Sequence, residues 1–217
     1  MARVTSLSSR TRRRAQPRRS NAERTAQTRA RLLDAVVESI AEVGLARTTA
    51  PEIARRAGVT WGAVQHHFGG KDGMLVSVLD ESFRRFAEGL EGIPIEGTSL
   101  EKRASLFIDR AWEHFGSAHY RSTYEILLHY LGHEDSRDWR DRMSRDWDRI
   151  WRRLFADARV PRRRHFVLQH YPVAVLSGLA STLMREGADT ALRPAVLELL
   201  KENLAEQLGR GVRAEAS

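Results

Sequence analysis

The sequence contains no cysteine among its 217 residues. This absence excludes disulfide bonds, thiol-based redox sensing and cysteine-ligated metal sites. Long hydrophobic runs are also missing. The longest, residues 173–183, is interrupted by two serines and a glycine and is shorter than the roughly 20 residues that span a bilayer. The basic N-terminus is not followed by the apolar segment that a secretory signal requires. We therefore expect a cytoplasmic protein without a membrane partner.

Signatures of catalysis and of cofactor binding are absent as well. The sequence has no Gly-x-Ser-x-Gly nucleophile motif, no phosphate-binding loop and no glycine-rich dinucleotide fingerprint, so we expect no enzyme and no cofactor. His129 and His133 have the i,i+4 spacing of metal ligands and are followed by Glu134 and Asp135. Gly132 is expected to end that helix, however, and the spacing fixes no third ligand. We predict no metal site, and a metal-sensing site remains the alternative.

The positive charge is concentrated at the N-terminus. The formal net charge is +8, and seven arginines but no acidic residue lie in residues 1–21. They are Arg3, Arg10, Arg12, Arg13, Arg14, Arg18 and Arg19. Such a segment cannot bury a core, so we predict a disordered arm that lies along DNA phosphates or enters a minor groove. The alternatives are a solubilising tail and a misassigned start codon.

The remainder of the chain is predicted to be all-α. Apolar residues recur at three-to-four spacing and no alternating strand pattern competes with them. Beyond two short helices within residues 48–68, helices are predicted at 24–43, 71–90, 100–116, 118–131, 136–158, 161–186 and 193–208. The glycine-rich break at residues 89–99 marks a boundary. We expect a three-helix helix-turn-helix domain over 22–88 and a larger helical domain over 89–210.

Residues 48–75 have the pattern of a helix-turn-helix. Thr49 is expected to cap the first short helix, with Glu52 completing a capping box. Gly58 can adopt the left-handed conformation that ends this helix, and Thr60 caps the second. On the second helix Val64 and Phe68 face inward. The residues that remain at or beside its exposed face are Trp61, Gly62, Gln65, His66 and His67.

These residues resemble the TetR family of bacterial one-component transcriptional regulators over positions 25–80. The matching residues are Thr49, Ile53-Ala54, Ala57-Gly58-Val59, Thr60, Gly62, His67-Phe68 and Lys71. The chain departs from the family pattern at Gln65, where a Tyr is usual, and at Trp61, where a basic or small residue is common. The resemblance therefore implies the mode of docking on DNA and leaves the operator sequence open.

A role in DNA recognition can be assigned to each of these side chains. Gln65 can make the bidentate contact to adenine, and Trp61 can pack on a thymine methyl group; partial burial of Trp61 against the first helix is the alternative. Gly62 allows a close approach of the backbone. The phosphate contacts are expected from Thr49, Thr60, His66, His67 and Lys71.

The larger domain is expected to bind a small hydrophobic effector, as the resemblance implies. The candidate lining residues are aromatic or apolar with a few polar tips. They are Trp112, Phe115, Tyr124, Leu127, Leu128, Trp147, Trp151, His170 and Tyr171. Pro172 should kink its helix and so favours His170 and Tyr171. The alternative for each of these residues is ordinary core packing.

The last two helices are predicted to form a dimer interface. Small residues recur at helical spacing on the first helix, and a matching apolar stripe follows on the second. The predicted interface residues are Ala174, Ser177, Gly178, Ser181, Val196, Leu200 and Leu204. The alternative is that both stripes complete the core of the monomer.

Together these features predict a homodimeric repressor that binds a palindromic operator in double-stranded DNA and is released by a small hydrophobic effector. The alternative function is a constitutive architectural DNA-binding protein of the same fold that has no effector. A ligand-sized cavity in the larger domain would favour the sensor.

Overall fold

The computed structural model describes residues 20–130, 137–158, 160–186 and 191–213. Over these residues the regular structure is entirely helical, which confirms the all-α prediction. The α-helices are α1 (Asn21–Val43), α2 (Ala50–Ala57), α3 (Trp61–Phe68), α4 (Lys71–Glu91), α5 (Leu100–Phe115), α6 (Ala118–Tyr130), α7 (Arg137–Phe155), α8 (Arg162–Glu186) and α9 (Leu192–Arg213). Short 3-10 turns follow α1 at Leu45–Arg47 and α7 at Ala156–Ala158.

Helix α1 begins three residues before its predicted start. Ser20 and Glu23 form a reciprocal capping box in which Glu23 N donates to Ser20 Oγ at 3.1 Å and Ser20 N donates to Glu23 Oε2 at 2.7 Å. Two exposed N–H groups of the first turn are thereby satisfied. Ser20 and Asn21 therefore belong to the folded domain and not to the predicted arm. The rest of the arm, residues 1–19, lies outside the described residues.

The smaller core is formed mainly by α1 to α4. Its fully buried side chains include Leu32, Val36, Ile53 and Val64, each at 0 % exposure. Helices α6 and α7 complete this core from the larger domain, with Ile126 buried in the same cluster. The two predicted domains therefore share packed side chains.

The larger core is formed by α5, α7, α8 and α9 together with the second half of α4. It is rich in aromatic side chains, among them Phe107 and Trp151. Helix α9 packs along α5. Helix α4 enters both cores, because its first half buries Met74 and its second half buries Phe86. A movement of α4 would therefore displace buried side chains in both domains.

Helix α8 has an unusual surface. By length and composition alone, Arg163–Arg185 would be able to cross a membrane, and only 33 % of its most apolar window is buried in the protomer. Pro172 lies inside this helix without ending it. The uncovered apolar side of α8 is described with the dimer residues below.

Candidate nucleic-acid interface and cavity

Helices α2 and α3 form the predicted helix-turn-helix. Gly58 ends α2 in the left-handed conformation, with φ 64°, a backbone geometry that favours glycine. Thr60 then caps α3 by accepting a hydrogen bond from Ala63 N at 3.3 Å. Each of the two helices has eight residues. Local sequence features therefore fix the turn as predicted.

The predicted capping box at the start of α2 does not form. Thr49 has extended backbone but its side chain makes no capping hydrogen bond. Glu52 instead accepts hydrogen bonds from Arg55 and Arg56, and these bonds lower the pKa of Glu52 to about 2. Arg56 also pairs with Glu42 and so ties α2 to α1. Two guanidinium groups bind the carboxylate more strongly than one backbone amide does, and the Thr49 residue remains exposed.

Helix α3 presents a polar surface to solvent. Val64 is fully buried, whereas Gly62, Gln65 and His66 are exposed. Trp61 is 40 % exposed, so part of the indole is covered and part is available to a partner. Thr60 is exposed and His67 is half-buried at the end of the same helix.

The ammonium group of Lys71 is held next to the start of α2. Lys71 Nζ donates to Thr48 O at 2.7 Å. Because Thr49 follows immediately, the Lys71 charge lies beside the N-terminal end of α2, where the helix dipole is positive. This end of the motif therefore favours an anion such as a phosphate.

Two residues that the sequence analysis did not single out support the motif. A Cβ atom on Gly73 would lie 2.0 Å from the carbonyl oxygen of Phe68, so α4 approaches the end of α3 more closely than any side chain permits. The Arg29 guanidinium lies over the Phe68 ring, 5.5 Å from its centroid, which is a cation–π geometry. The constraint on Gly73 depends on the contact between α3 and α4, which the spacing of residues in the sequence does not reveal.

The larger domain contains a predominantly apolar cavity of about 270 Å³. We call it the apolar cavity. It is lined by Leu79, Ser82, Phe83, Phe86, His114, Phe115, Tyr120, Thr123, Leu127, Trp139, Met143, Ser144, Trp147, His170, Val173 and Ser177. These residues come from α4 to α8, so the cavity lies where the two cores meet.

Four of the nine predicted ligand residues line this cavity. They are Phe115, Leu127, Trp147 and His170. The other five, Trp112, Tyr124, Leu128, Trp151 and Tyr171, do not. Trp151 is 1 % exposed within the aromatic core, and Leu128 is 51 % exposed on the protein surface. The candidates named from the sequence lie on α5 to α8, and their spacing did not separate core, surface and cavity positions. The α4 residues that also line the cavity, Leu79, Ser82, Phe83 and Phe86, were not among them.

Several of the residues that line the apolar cavity carry polar groups. Trp147 is 7 % exposed, and its indole Nε1 has no hydrogen-bond partner among the described residues. The hydroxyl groups of Tyr120 and Ser177 lie 3.0 Å apart and form a hydrogen bond. Burial, assisted by the nearby His119, lowers the pKa of His114 to about 4, so its imidazole is neutral at physiological pH. A neutral imidazole offers one donor and one acceptor.

Helix α6 connects this cavity to the smaller domain. Tyr120, Thr123 and Leu127 line the cavity. On its other side, Glu125 Oε2 accepts a hydrogen bond from Leu45 N at 2.9 Å, which holds the turn that precedes α2. Two further bonds support this contact, from Ser122 Oγ to Val37 O at 2.9 Å and from Tyr130 OH to Asp72 Oδ1 at 3.0 Å.

The predicted dimer residues fall into two groups. Ala174 and Gly178 are exposed, and Ser181 and Val196 are half-buried. Leu200 and Leu204 are 2 % and 0 % exposed inside the protomer's own core, so the monomer-core alternative holds for these two.

Ser177 also points inward, because its hydroxyl bonds Tyr120. Larger apolar side chains instead occupy the surface of α8 and α9. Phe166 is 68 % exposed, Val167 60 % and Leu199 65 %. This uncovered apolar surface is larger than the stripe of small residues alone would provide.

No group of three or more His, Asp or Glu side chains suited to a metal ion occurs within the part of the chain that the structure describes. Of the predicted histidine pair, His129 is exposed at the end of α6. The other residues of that predicted group, His133, Glu134 and Asp135, lie outside the described residues.

Comparison with known proteins places the motif in a family. Residues 32–78 match the model of the bacterial regulatory proteins of the tetR family. The HTH-type transcriptional regulator BetI 1 of Chromohalobacter salexigens is 45 % identical over 71 residues, which cover 29 % of this chain and 35 % of the relative. The chain thus spans about a third of the length of this curated relative.

Solved structures extend the similarity of the fold beyond the motif. A transcriptional regulator from Rhodococcus sp. Rha1 aligns with a TM-score of 0.62 at 20 % identity, over 86 % of this chain and 96 % of that one. The regulator FadR from Bacillus subtilis, solved in complex with stearoyl-CoA, aligns with a TM-score of 0.64 at 18 % identity. That alignment covers 84 % of this chain and 98 % of FadR.

Proposed function

We propose that this chain, a TetR-family regulator by its DNA-binding domain, is a dimeric repressor released from a palindromic operator by a small hydrophobic effector. The observation that carries the proposal is the double contact of α6. One side of α6 lines the apolar cavity, and the other side holds the turn before α2 through Glu125 and Leu45. A ligand that displaces α6 therefore changes the position of the helix-turn-helix.

On the operator, α3 lies in the major groove of each half-site. Gln65 contacts adenine and the exposed part of Trp61 packs on a thymine methyl group. Thr49, Thr60 and Lys71 bind phosphates together with His66 and His67, supported by the positive ends of α2 and α3. The arm of residues 1–19 adds further phosphate contacts.

The dimer forms through the apolar surface of α8 and α9. Exposed apolar patches of this kind mark protein interfaces, and the two helices of each subunit would build a four-helix bundle. The exposed Ala174 and Gly178 allow close approach, while Phe166, Val167 and Leu199 supply the buried area. A helix partner also accounts for the apolar surface of α8 in a cytoplasmic protein.

The effector binds in the apolar cavity. FadR from Bacillus subtilis binds stearoyl-CoA, so the fold accommodates a ligand with a long apolar part. In this chain, Trp147 Nε1 supplies a buried donor without a partner among the described residues, and burial of such a group is costly unless a ligand or a solvent molecule satisfies it. The cavity favours this function over the constitutive architectural alternative.

The first experiment is fluorescence anisotropy of the purified protein with DNA from upstream of its own gene, over a salt series and with a nonspecific DNA control. We expect tight binding to one palindromic segment and a steep loss of affinity as salt rises. Equal affinity for both DNAs would point to a distant operator or to the architectural alternative, and genome-wide binding would then separate the two.

The proposed effector site is tested with a variant that reduces the volume of the apolar cavity. Val173→Phe fills part of its wall, so this variant should retain operator affinity but lose release by any compound that releases the wild-type protein. Arg84→Gln, an exposed change on α4 outside the cavity, is the matched control. Release that survives in Val173→Phe would place the effector elsewhere.

A further inference from the structure

A second cavity, of about 280 Å³, lies between α4, α5 and the beginning of α6. We call it the polar cavity. Ser82, Phe86 and His114 line both cavities, so the two adjoin at these three side chains. The remaining lining residues are Arg85, Gly89, Arg110, Glu113, Ser117 and His119. The apolar cavity and the polar cavity are therefore adjacent and share these three lining residues.

Arg85 is the principal positive charge of the polar cavity. Its Nε donates to Glu81 at 2.8 Å, and its terminal guanidinium nitrogens form no hydrogen bond with any residue that the structure describes. Arg85 lines the polar cavity, and its charge is one of the causes, after burial, of the lowered pKa of His119. This fork of N–H groups matches a carboxylate or phosphate.

Arg110 provides a weaker second charge. Its Nη1 lies 3.1 Å from both carboxylate oxygens of Glu113 in an exposed i,i+3 pair. Exposed pairs of this kind are weak, so an incoming anion can compete for the guanidinium. The lining therefore contains two arginines and one acidic side chain, Glu113, while Glu81, outside the lining, is shared between Arg84 and Arg85.

The junction between the cavities is polar but uncharged. The Ser82 hydroxyl lies 3.4 Å from Thr123 Oγ1, and the neutral His114 imidazole packs against the rings of Phe86 and Tyr120. The N-terminal end of α6 faces the polar cavity through Ser117 and His119, and the helix dipole there favours an anion. His119 Nε2 is buried without a partner among the described residues.

We propose that the ligand of this protein is an amphiphilic organic acid. Its apolar body occupies the apolar cavity, and its carboxylate or phosphate passes Ser82 and His114 to bind Arg85, with Arg110 as a second contact. This inference rests on the proposed effector cavity and adds the chemical class of the effector.

The test measures direct binding to the full-length protein, by calorimetry, of four unbranched probes that each contain ten carbons: decanoate, decyl phosphate, 1-decanol and decylamine. We expect at least one of the two anions to bind about tenfold more tightly than 1-decanol, and decylamine to bind more weakly than 1-decanol. The tighter of the two anions identifies the head group.

Substitutions at the arginines then locate the head group. Arg85→Gln should weaken anion binding about fivefold, Arg110→Gln less, and the double variant should bind the anions no more tightly than 1-decanol. All three variants should bind 1-decanol as the wild type does, which also shows that they are folded. Arg149→Gln, an exposed change on α7 outside both cavities, should leave all affinities unchanged.

Two results would overturn the inference, and a third concerns the cavity itself. Equal binding of all four probes, or anion binding insensitive to Arg85→Gln, would reject the anionic head group while leaving the apolar cavity as the effector site. If Val173→Phe binds 1-decanol and decanoate as the wild type does, the proposed effector cavity fails and this inference fails with it.

Discussion

The two cores of this protein differ in the side chains that fill them. The smaller core is mainly aliphatic, and Leu32 and Ile53 are completely buried in it. The larger core combines aliphatic side chains with a cluster of aromatic rings, among them Phe86 and Trp147, whose centroids lie 5.8 Å apart. Branched aliphatic side chains interdigitate closely, whereas large planar rings border the apolar cavity. The apolar cavity thus opens among the aromatic rings of the larger core, where that core meets the smaller one.

The largest expected effect breaks the close packing of the smaller domain. Gly73→Ala would place a Cβ atom 2.0 Å from Phe68 O, so the protein should lose about 3 kcal/mol of unfolding free energy and roughly 6–12 °C in Tm. Scanning calorimetry measures the change.

Gly89→Ala is the matched control for this experiment, because the same helix leaves that position open. It should gain up to about 1 kcal/mol from helix propensity. A Gly73→Ala protein as stable as the wild type would show that α3 and α4 are not in such close contact.

Lowering the pH should destabilise the larger core more than the smaller core. The pKa of His114 in the larger domain is about 4 in the folded state against 6.5 for the free group. Between these values the unfolded chain binds a proton that the folded chain does not, so unfolding free energy falls by up to about 3 kcal/mol as pH is lowered from 6.5 to 4. Urea titrations across this range measure the effect.

The smaller domain should resist this change, because the pKa of Glu52 lies at about 2 and its ion pairs persist through the window. His114→Phe, which keeps a ring among the neighbouring aromatic side chains, should flatten the acid limb. An unchanged acid limb in that variant would assign the sensitivity to another group.

On DNA, Gln65→Ala should change base preference at one position of each half-site, with a decrease of about 1–3 kcal/mol in discrimination there. Binding to a set of operators substituted base by base provides the measurement. A preference that is unchanged at every position would reject the assignment of Gln65 to base recognition.

The smallest expected effect is the loss of one contact to the DNA phosphates. Lys71→Gln should weaken binding to all DNA sequences alike, and it should reduce the slope of log affinity against log salt by about 1 for each phosphate that Lys71 neutralises. Comparing its salt series with that of Gln65→Ala separates positioning from base recognition. A sequence-selective decrease in affinity of Lys71→Gln would contradict the phosphate role.

The helices and the helix-turn-helix could be predicted because their determinants are local. Gly58 and Thr60 act within a few residues of their position, and the apolar spacing of α1 is regular. The prediction of a capping box at Thr49 was wrong because Arg55 and Arg56 compete for Glu52.

The prediction of Ser177 and Leu204 as dimer residues was wrong because α8 and α9 are apolar on more than one side. Residue spacing does not show which side meets a partner. Gly73 was missed since its constraint comes from another helix.

The hydrogen bond between Glu125 and Leu45 also bears on how the protein is made. Leu45 leaves the ribosome 80 residues before Glu125, and Ile126 completes the smaller core after that. The smaller core can therefore complete its native contacts only after α6 has emerged during synthesis. A nascent or truncated chain that ends before α6 would have the helix-turn-helix sequence without these contacts from Glu125 and Ile126.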